Sequence, residues 1–544
     1  MTTPYEEGSP DSKIIILGQA PSGVEMRYGR PLVGPAGEVF RDCSQLAGLS
    51  RRSCYVLNVW EQPVSSDKVS GKISSYAGGP TLWTSKGMTE LGRELAAPTL
   101  QRIRDSRANV IMPLGQQALE LVTGKSNSIM KWRGSPLAGI EDTGGKKVIP
   151  TLHPAATLHG VYLWRYLIVG DMKKMLAQAH TPELIVPQRD IVIRPSFDQI
   201  MDYMRECKRE GRVATDLEVI NHEVSCFSLS KHPSDALVVA FVDSQGDLWD
   251  EDEEEAIWLA YADLMYDREV MKINQNIVGF DAPFLMTQNR ILVRGEIGDT
   301  MIAQSVLYPE FNKGLDMIAS MHTSEPYWKD EGKMWKDQGG DWPTFWRYNG
   351  KDSAVALEAW DVLSAELTQR DMWSTYSRHA NMLYPLLGMT LDGLAIDKEK
   401  LDETKGQIEA DIAARETELA EVADYAFNPA STAQCAKYFY DHKGLEPYKN
   451  ARGGRTTDDK AITRIFRKTG LREAKLVQEI RNLRKLKGTY LEVELDPDGR
   501  IRCSWNPRGT WTGRLSSSKT IRGTGMNLQN LDPRFKGFVV AEKE

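Results

Sequence analysis

The sequence predicts an α/β protein of several domains, and three observations carry that prediction. Short apolar runs bounded by glycine and proline turns recur through the first part of the chain. Helical stretches separate them. A longer strand-like run, Val213-Ala214-Thr215-Asp216-Leu217-Glu218, ends in two carboxylates one residue apart. At 544 residues the length prior gives about three or four domains.

Composition narrows the class. Hydrophobic content of 41% and charged content of 26% are those of a soluble globular protein. No run of about 18 apolar residues suggests a membrane span, and Met1-Thr2-Thr3-Pro4-Tyr5-Glu6-Glu7 lacks the basic and apolar regions of a signal peptide. Cys43, Cys54, Cys207, Cys226, Cys435 and Cys503 form no C-x-x-C pair, which suggests reduced thiols and a cytoplasmic location. The net charge of −7 is unevenly placed: Asp243 to Glu255 is acidic, whereas residues 451–530 hold 18 Lys/Arg against 8 Asp/Glu. Phosphate attraction depends on such local excess, not on the total.

The first domain is expected over residues 1–185. Lys13-Ile14-Ile15-Ile16-Leu17 reads as a buried strand ending in the turn Gly18-Gln19-Ala20-Pro21-Ser22-Gly23. Cys54–Val59, Val110–Gly115 and Val148–Pro154 repeat the strand–loop theme, implying a parallel sheet with loops gathered at the strands' C-terminal ends. Gly18-Gln19-Ala20-Pro21, Gly29-Arg30-Pro31-Leu32-Val33-Gly34-Pro35-Ala36-Gly37, Asn58 and His153-Pro154-Ala155 resemble the motifs of the uracil-DNA glycosylase superfamily, family 4 in particular. The resemblance implies a base-reading pocket containing Gln19, Asn58 and His153, of the kind that accepts a flipped base. Leu32 stands in place of the family's stacking phenylalanine, Gln19 in place of a glutamate and Ser22 in place of a glycine. The cluster-binding cysteines are not apparent, so no iron–sulfur cluster is expected. A DNA-contacting or scaffolding domain of glycosylase fold is the expectation; a uracil-excising repair enzyme is the alternative.

The second domain is expected over residues 188–375, after a linker at Pro187-Gln188-Arg189-Asp190. Ser196 is a helix N-cap signal. On a strand, Asp216 and Glu218 share a face, and closely held acids of this kind suit Mg²⁺ or Mn²⁺. Asn276-Ile277-Val278-Gly279-Phe280-Asp281 supplies a third carboxylate. Tyr348 and Asp352, at i and i+4 before the helical Ala354–Leu363, share a helix face. Four carboxylates and a water-orienting phenol meet the needs of two-metal phosphodiester hydrolysis. The set resembles the DEDD-type 3′–5′ proofreading exonucleases of the Y subclass; Asp299-Thr300-Met301 is similar to a further segment in the exonuclease domains of family A DNA polymerases. The resemblance implies a ribonuclease-H-like core with Asp216, Glu218, Asp281, Tyr348 and Asp352 as catalytic residues and two metal ions on the carboxylates. Trp328, Trp335, Trp342 and Trp346 form a tryptophan-rich stretch, read as core packing or as a stacking platform for a frayed 3′ end.

The third segment is expected over residues 380–544. Leu476–Tyr490 reads as a basic helix carrying Arg481, Arg484, Lys485 and Lys487, an arrangement that can follow a phosphate backbone. Thr512-Gly513-Arg514-Leu515-Ser516-Ser517-Ser518 and Asn527-Leu528-Gln529-Asn530 resemble two motifs of family A DNA polymerases. The resemblance implies a mostly helical thumb with the start of a palm, and DNA contacts at Arg481, Lys485, Lys487, Arg514, Ser516, Ser517, Asn527, Gln529 and Asn530. The three-part order resembles bacteriophage replicative polymerases, which implies a host-cell cytoplasm. The sequence given reaches Glu544 before the palm's metal-binding aspartate motif. The expectation is therefore the N-terminal portion of a polymerase, acting on primer–template and single-stranded 3′ ends, with palm and fingers supplied by a second chain or lost. A non-catalytic DNA-binding subunit is the remaining alternative.

Overall fold

Ile14–Gly18 lies at the centre of a seven-stranded sheet because both of its faces are apolar. Ile14 and Ile16 pack into one core cluster, with Val39, Phe40, Leu167 and Met172 from the helices Pro35–Ala47 and Trp164–Gln178. Ile15 and Leu17 pack into the other, with Ala96, Ile103 and Leu119 from the helices Glu90–Asp105 and Gln116–Thr123. A strand buried on two sides reads as a continuous hydrophobic run. The strands Ile14–Gly18, Cys54–Asn58, Val110–Pro113 and Lys147–Val148 are parallel, as expected; both edges of the sheet are antiparallel. The computed structural model describes residues 2–67, 71–126, 128–159, 161–332, 335, 339–450 and 453–541. Arg452 of the basic segment and Glu542–Glu544 at the end of the sequence lie outside the described residues. Among those described, no helix is long and apolar enough to cross a membrane.

Two compact units divide the chain: Met1–Asn381 with Trp511–Gly513, and Met382–Thr510 with Arg514–Glu544. The first unit holds a second, six-stranded sheet. Its central strand Arg212–Ile220 runs antiparallel to Glu223–Ser230 and parallel to Met271–Asn274. The ladder pairs Ala214 through Glu218 with Ser230 through Cys226, then shifts register between Glu218 and Val219, leaving Ser225 as the extra residue. Ser196 caps the helix Phe197–Glu210 through a capping box.

Two local features differ from the sequence-based reading. The segment read as a linker is pinned: the Arg189 side chain, 4% exposed, pairs with Glu325 at 3.0 Å and with Glu358. The helix bearing Tyr348 spans Trp342–Gln369, starting before Ala354, because Asp341 accepts from Thr344 N and Pro343 sits in the first turn. The tryptophan-rich stretch packs mostly inward, one of the two readings the sequence left open: Trp328 and Trp346 are buried, and half-buried Trp335 stacks on Phe345 at 4.0 Å.

The second unit packs the helices Lys398–Val422, Asp459–Thr469 and Arg472–Leu486. Leu419, Tyr438, Ile462, Ile465 and Ile480 form one of its cores. Small antiparallel pairs join Leu394–Ala395 to Arg500–Ile501 and Ser504–Asn506 to Ser516–Ser518.

Candidate metal centre and base pocket

Period-two alternation on Arg212–Ile220 puts Asp216 and Glu218 on one face, and the helix Trp342–Gln369 brings Asp352 to them. One carboxylate oxygen from each of Asp216, Glu218 and Asp352 lies within 4.8 Å of the other two. Asp281 starts the helix Asp281–Gln288 and accepts from Leu217 N at 3.2 Å. Asp299 secures that segment, accepting from Val278 N at 3.1 Å while capping its own helix through Ile302 N at 3.0 Å. Asp216, Asp281 and Tyr348 line one cleft of about 790 Å³, with Phe280 and Met301 on its walls. All five residues predicted for this chemistry are thus brought together.

Asn349 donates to Asp216 Oδ2 at 2.8 Å and to its carbonyl at 3.1 Å, and Asn274 donates to Oδ1 at 3.3 Å. These amides fix the carboxylate's orientation. Trp328 Nε1 donates to Asp352 Oδ1 at 2.6 Å, and the Lys329 ammonium pairs with Oδ2 and donates to the Tyr348 hydroxyl at 3.1 Å. Sequence reasoning missed Asn274, Lys329 and Asn349, and Trp328 as a donor to Asp352.

Burial and clustering shift two of the acids upward. Burial, then the charges of Asp352, Asp281 and Glu218, raises Asp216 well above the usual carboxylate range. Burial also pushes Asp281 up to about 8, with Asp299 and Glu218 adding to the rise. The donor set is hard oxygen under strong mutual repulsion, which fits Mg²⁺ or Mn²⁺. A folded-state pKa raised above 3.8 contributes stability at low pH that is lost as pH rises through the folded value. The metal-free protein is therefore expected to melt at a lower temperature at pH 8.5 than at pH 6, by about 5 °C. Mn²⁺ should raise the melting temperature more at the higher pH, and Asp281→Asn should flatten the slope. Calorimetry in a chelator and in excess Mn²⁺ checks this; a metal effect independent of pH would refute it.

The first sheet carries a separate pocket of about 430 Å³, in which Gln19, Asn58 and His153 meet Glu25 and Leu32. Gly18 makes room there, since a Cβ at that position would lie 2.3 Å from Asn58 Oδ1. Asn58 is 4% exposed, and its Nδ2 has no hydrogen-bond partner among the described residues. His153 Nδ1 accepts from Ala155 N at 3.2 Å, so the neutral ring carries its proton on Nε2; burial lowers its pKa and favours that neutral form. Leu32 adopts φ +48°, held by Arg51 donating to its carbonyl at 3.0 Å and by Glu25 accepting from its N–H. Glu25, Val64, Ser66 and Leu158 are pocket residues not foreseen, Glu25 alone among them carrying an ionisable group.

In the second unit the predicted DNA contacts separate into two groups. Ser517 Oγ donates to Asn527 Oδ1 at 2.9 Å and Gln529 donates to Leu515 O at 3.1 Å. Arg514 N is held by Thr510 at 2.9 Å, Tyr490 donates to Asn530 O at 3.0 Å, and Ser516 lies on the paired strand beside Ser517. Along the basic helix, Arg481 turns inward onto the carbonyls of Pro429 and Thr457. Arg484 pairs with Glu416 at 2.6 Å and Lys487 with Glu409 at 3.0 Å, while Lys485 is exposed.

Residues 398–539 match DNA polymerase family A, and residues 5–164 match the uracil DNA glycosylase superfamily. The Type-4 uracil-DNA glycosylase of Thermotoga maritima is 33% identical over 170 residues, covering 31% of this chain and 78% of that protein. DNA polymerase I of Rhizobium leguminosarum is 27% identical over 284 residues, covering 50% of this chain and 27% of that protein. The DNA polymerase of Escherichia phage T5 is 30% identical over 218 residues, covering 36% and 24%. The chain spans about a quarter of the length of these two polymerases.

Proposed function

We propose, for a chain that belongs to the uracil-DNA glycosylase superfamily through residues 5–164 and carries a DNA polymerase family A domain over residues 398–539, a role in DNA replication with a working 3′–5′ proofreading exonuclease, in a polymerase of bacteriophage type. The observation that carries the exonuclease is the convergence of Asp216, Glu218 and Asp352 within 4.8 Å, beside Asp281 and Tyr348. Bound there by the four carboxylates, two Mg²⁺ or Mn²⁺ ions supply charge stabilisation to a phosphodiester and acidity to water.

The chain's own residues do the rest. Asn349 and Asn274 hold Asp216 in one orientation, so the donor set is formed before substrate arrives. Burial, and then the charges of Asp352, Glu218 and Asp216, keeps Tyr348 a phenol. It therefore orients the attacking water by hydrogen bonding and does not remove its proton. Phe280 and Met301 offer apolar walls to the terminal base. The product is a deoxynucleoside monophosphate. Arg514, Ser516 and Ser517, with Asn527, Gln529 and Asn530, face the primer–template in this reading, and Lys485 adds a phosphate contact.

A 5′-labelled primer with a mismatched 3′ end, incubated with Mg²⁺, tests the proposal. Stepwise shortening by the parent and none by Asp216→Ala/Glu218→Ala supports it; equal behaviour of the two refutes it.

The unpartnered Asn58 amide favours a second reading, a nucleobase-binding first domain. Free uracil released from a uracil-containing strand by the parent, and lost in Asn58→Ala, would make it a glycosylase. No release would leave the domain a scaffold.

A further inference from the structure

The carboxylate centre contains a cation of its own, and the first domain puts it there. Lys329 reaches both Asp352 and the Tyr348 hydroxyl, and its ammonium lies over the Tyr348 ring, 4.9 Å from the centroid. With Trp328 on the other oxygen, Asp352 has a donor on each. Gly332 lies flat against the same phenol: a Cβ there would fall 2.6 Å from Tyr348 Cζ. This stretch cannot shift without moving the tyrosine.

Residues 131–135 of the glycosylase-like domain grip the start of that stretch. Tyr327 N donates to Ser135 Oγ at 3.2 Å, Trp132 meets the Tyr327 ring edge-on at 5.3 Å, and Lys131 pairs with Asp330 while lying over Tyr327 at 4.9 Å. The cavity between Lys131, Trp164, Phe311 and Tyr327 also shares Asn312 and Asp316 with the carboxylate cleft.

We propose that Lys329 is a positioning residue of the exonuclease centre, holding Tyr348 and competing with a divalent cation for Asp352, and that the glycosylase-like domain keeps it in place. The inference rests on the exonuclease reading. A dication bound by Asp216, Glu218 and Asp352 must share Asp352 with the ammonium, and the two positive charges repel at close range. Removing the lysine charge therefore tightens metal binding by about tenfold at the least, the repulsion between a dication and an ammonium about 6 Å apart at the dielectric of water. The same change frees the Tyr348 hydroxyl, so the reaction slows although more metal is bound.

The test is calorimetric Mn²⁺ binding to the full chain, alongside the rate of 3′ shortening at saturating Mn²⁺. Lys329→Gln is expected to bind Mn²⁺ about tenfold more tightly and to cleave about tenfold more slowly, a split that simple misfolding does not produce. Lys329→Arg, which keeps the charge, should bind metal like the parent. Lys131→Gln, remote from the carboxylates, should move both quantities in the same directions by about threefold, as a loosened ion pair would. Parental or weaker Mn²⁺ affinity in Lys329→Gln overturns the proposal; if that variant fails to fold, unchanged affinity in Lys131→Gln does so. A parent that neither binds Mn²⁺ nor shortens the primer overturns the exonuclease reading itself, and this inference with it.

Discussion

Replacing Asp352 by alanine should slow 3′-end shortening by about a thousandfold, whereas Tyr348→Phe should slow it by only about tenfold. Asp352 supplies one of the three converging oxygens, and no neighbouring acid takes its place. Its loss also strands Trp328 Nε1 and leaves the Lys329 ammonium only the Tyr348 hydroxyl in place of its carboxylate partner. Tyr348→Phe keeps every carboxylate and the ring that packs on Gly332, and removes only the hydroxyl. Single-turnover rates on a mismatched primer separate the two. Equal losses would show that the phenol does more than orient water.

Arg133→Met should destabilise the first unit by about 3–5 kcal/mol, the usual cost of stranding one partner of a buried ion pair. Arg133 and Asp171 are 1% and 0% exposed in their side chains. Without the guanidinium, Asp171 keeps Thr151 Oγ1 at 2.7 Å as its remaining side-chain donor. Arg133 also donates to Ser320 Oγ at 2.8 Å, so the change loosens the helix Leu315–His322 from the glycosylase-like domain. Burial, then the Arg133 charge, pushes nearby Lys174 down to about 7; loss of Arg133 lets it stay protonated and offset part of the cost. Arg133→Met/Asp171→Leu should recover most of the stability, since the uncompensated charge is gone. Urea denaturation measures both. A double variant less stable than the single would show that packing, not charge, sets the cost.

What the sequence revealed of this site follows from range. Asp216 with Glu218, and Tyr348 with Asp352, are related by backbone periods of two and four residues, so their shared faces are local facts. The central strands were legible for the same reason, because burial on two faces writes an unbroken apolar run. Lys329 and Trp328 act on residues 19 to 24 positions away, a separation that no periodicity encodes. The early start of the long helix is written in Asp341-Trp342-Pro343, a cap followed by proline, a weaker signal than the apolar stretch from Ala354. Arg481 shows the opposite limit. A basic helix pattern gives charge along a face, but not which arginine spends its donors on buried carbonyls. Arg189 is similar: beside Pro187 it reads as a linker, and only the tertiary fold supplies Glu325 and Glu358.

The register shift after Glu218 also determines where this strand pair tolerates a change of length. Loss of Leu217 would make Asp216 and Glu218 consecutive and send them to opposite sides of the sheet, dismantling the centre at once. Ser225 is different. It is the surplus residue opposite the shift, buried, with a hydroxyl that has no partner among the described residues. Its removal would straighten the ladder towards the turn and leave the five pairs from Ala214 to Glu218 in register. One face-bearing segment is thus fixed to the residue, while the hairpin beyond it can shorten at the cost of the bond from Phe241 N to the Ser225 carbonyl.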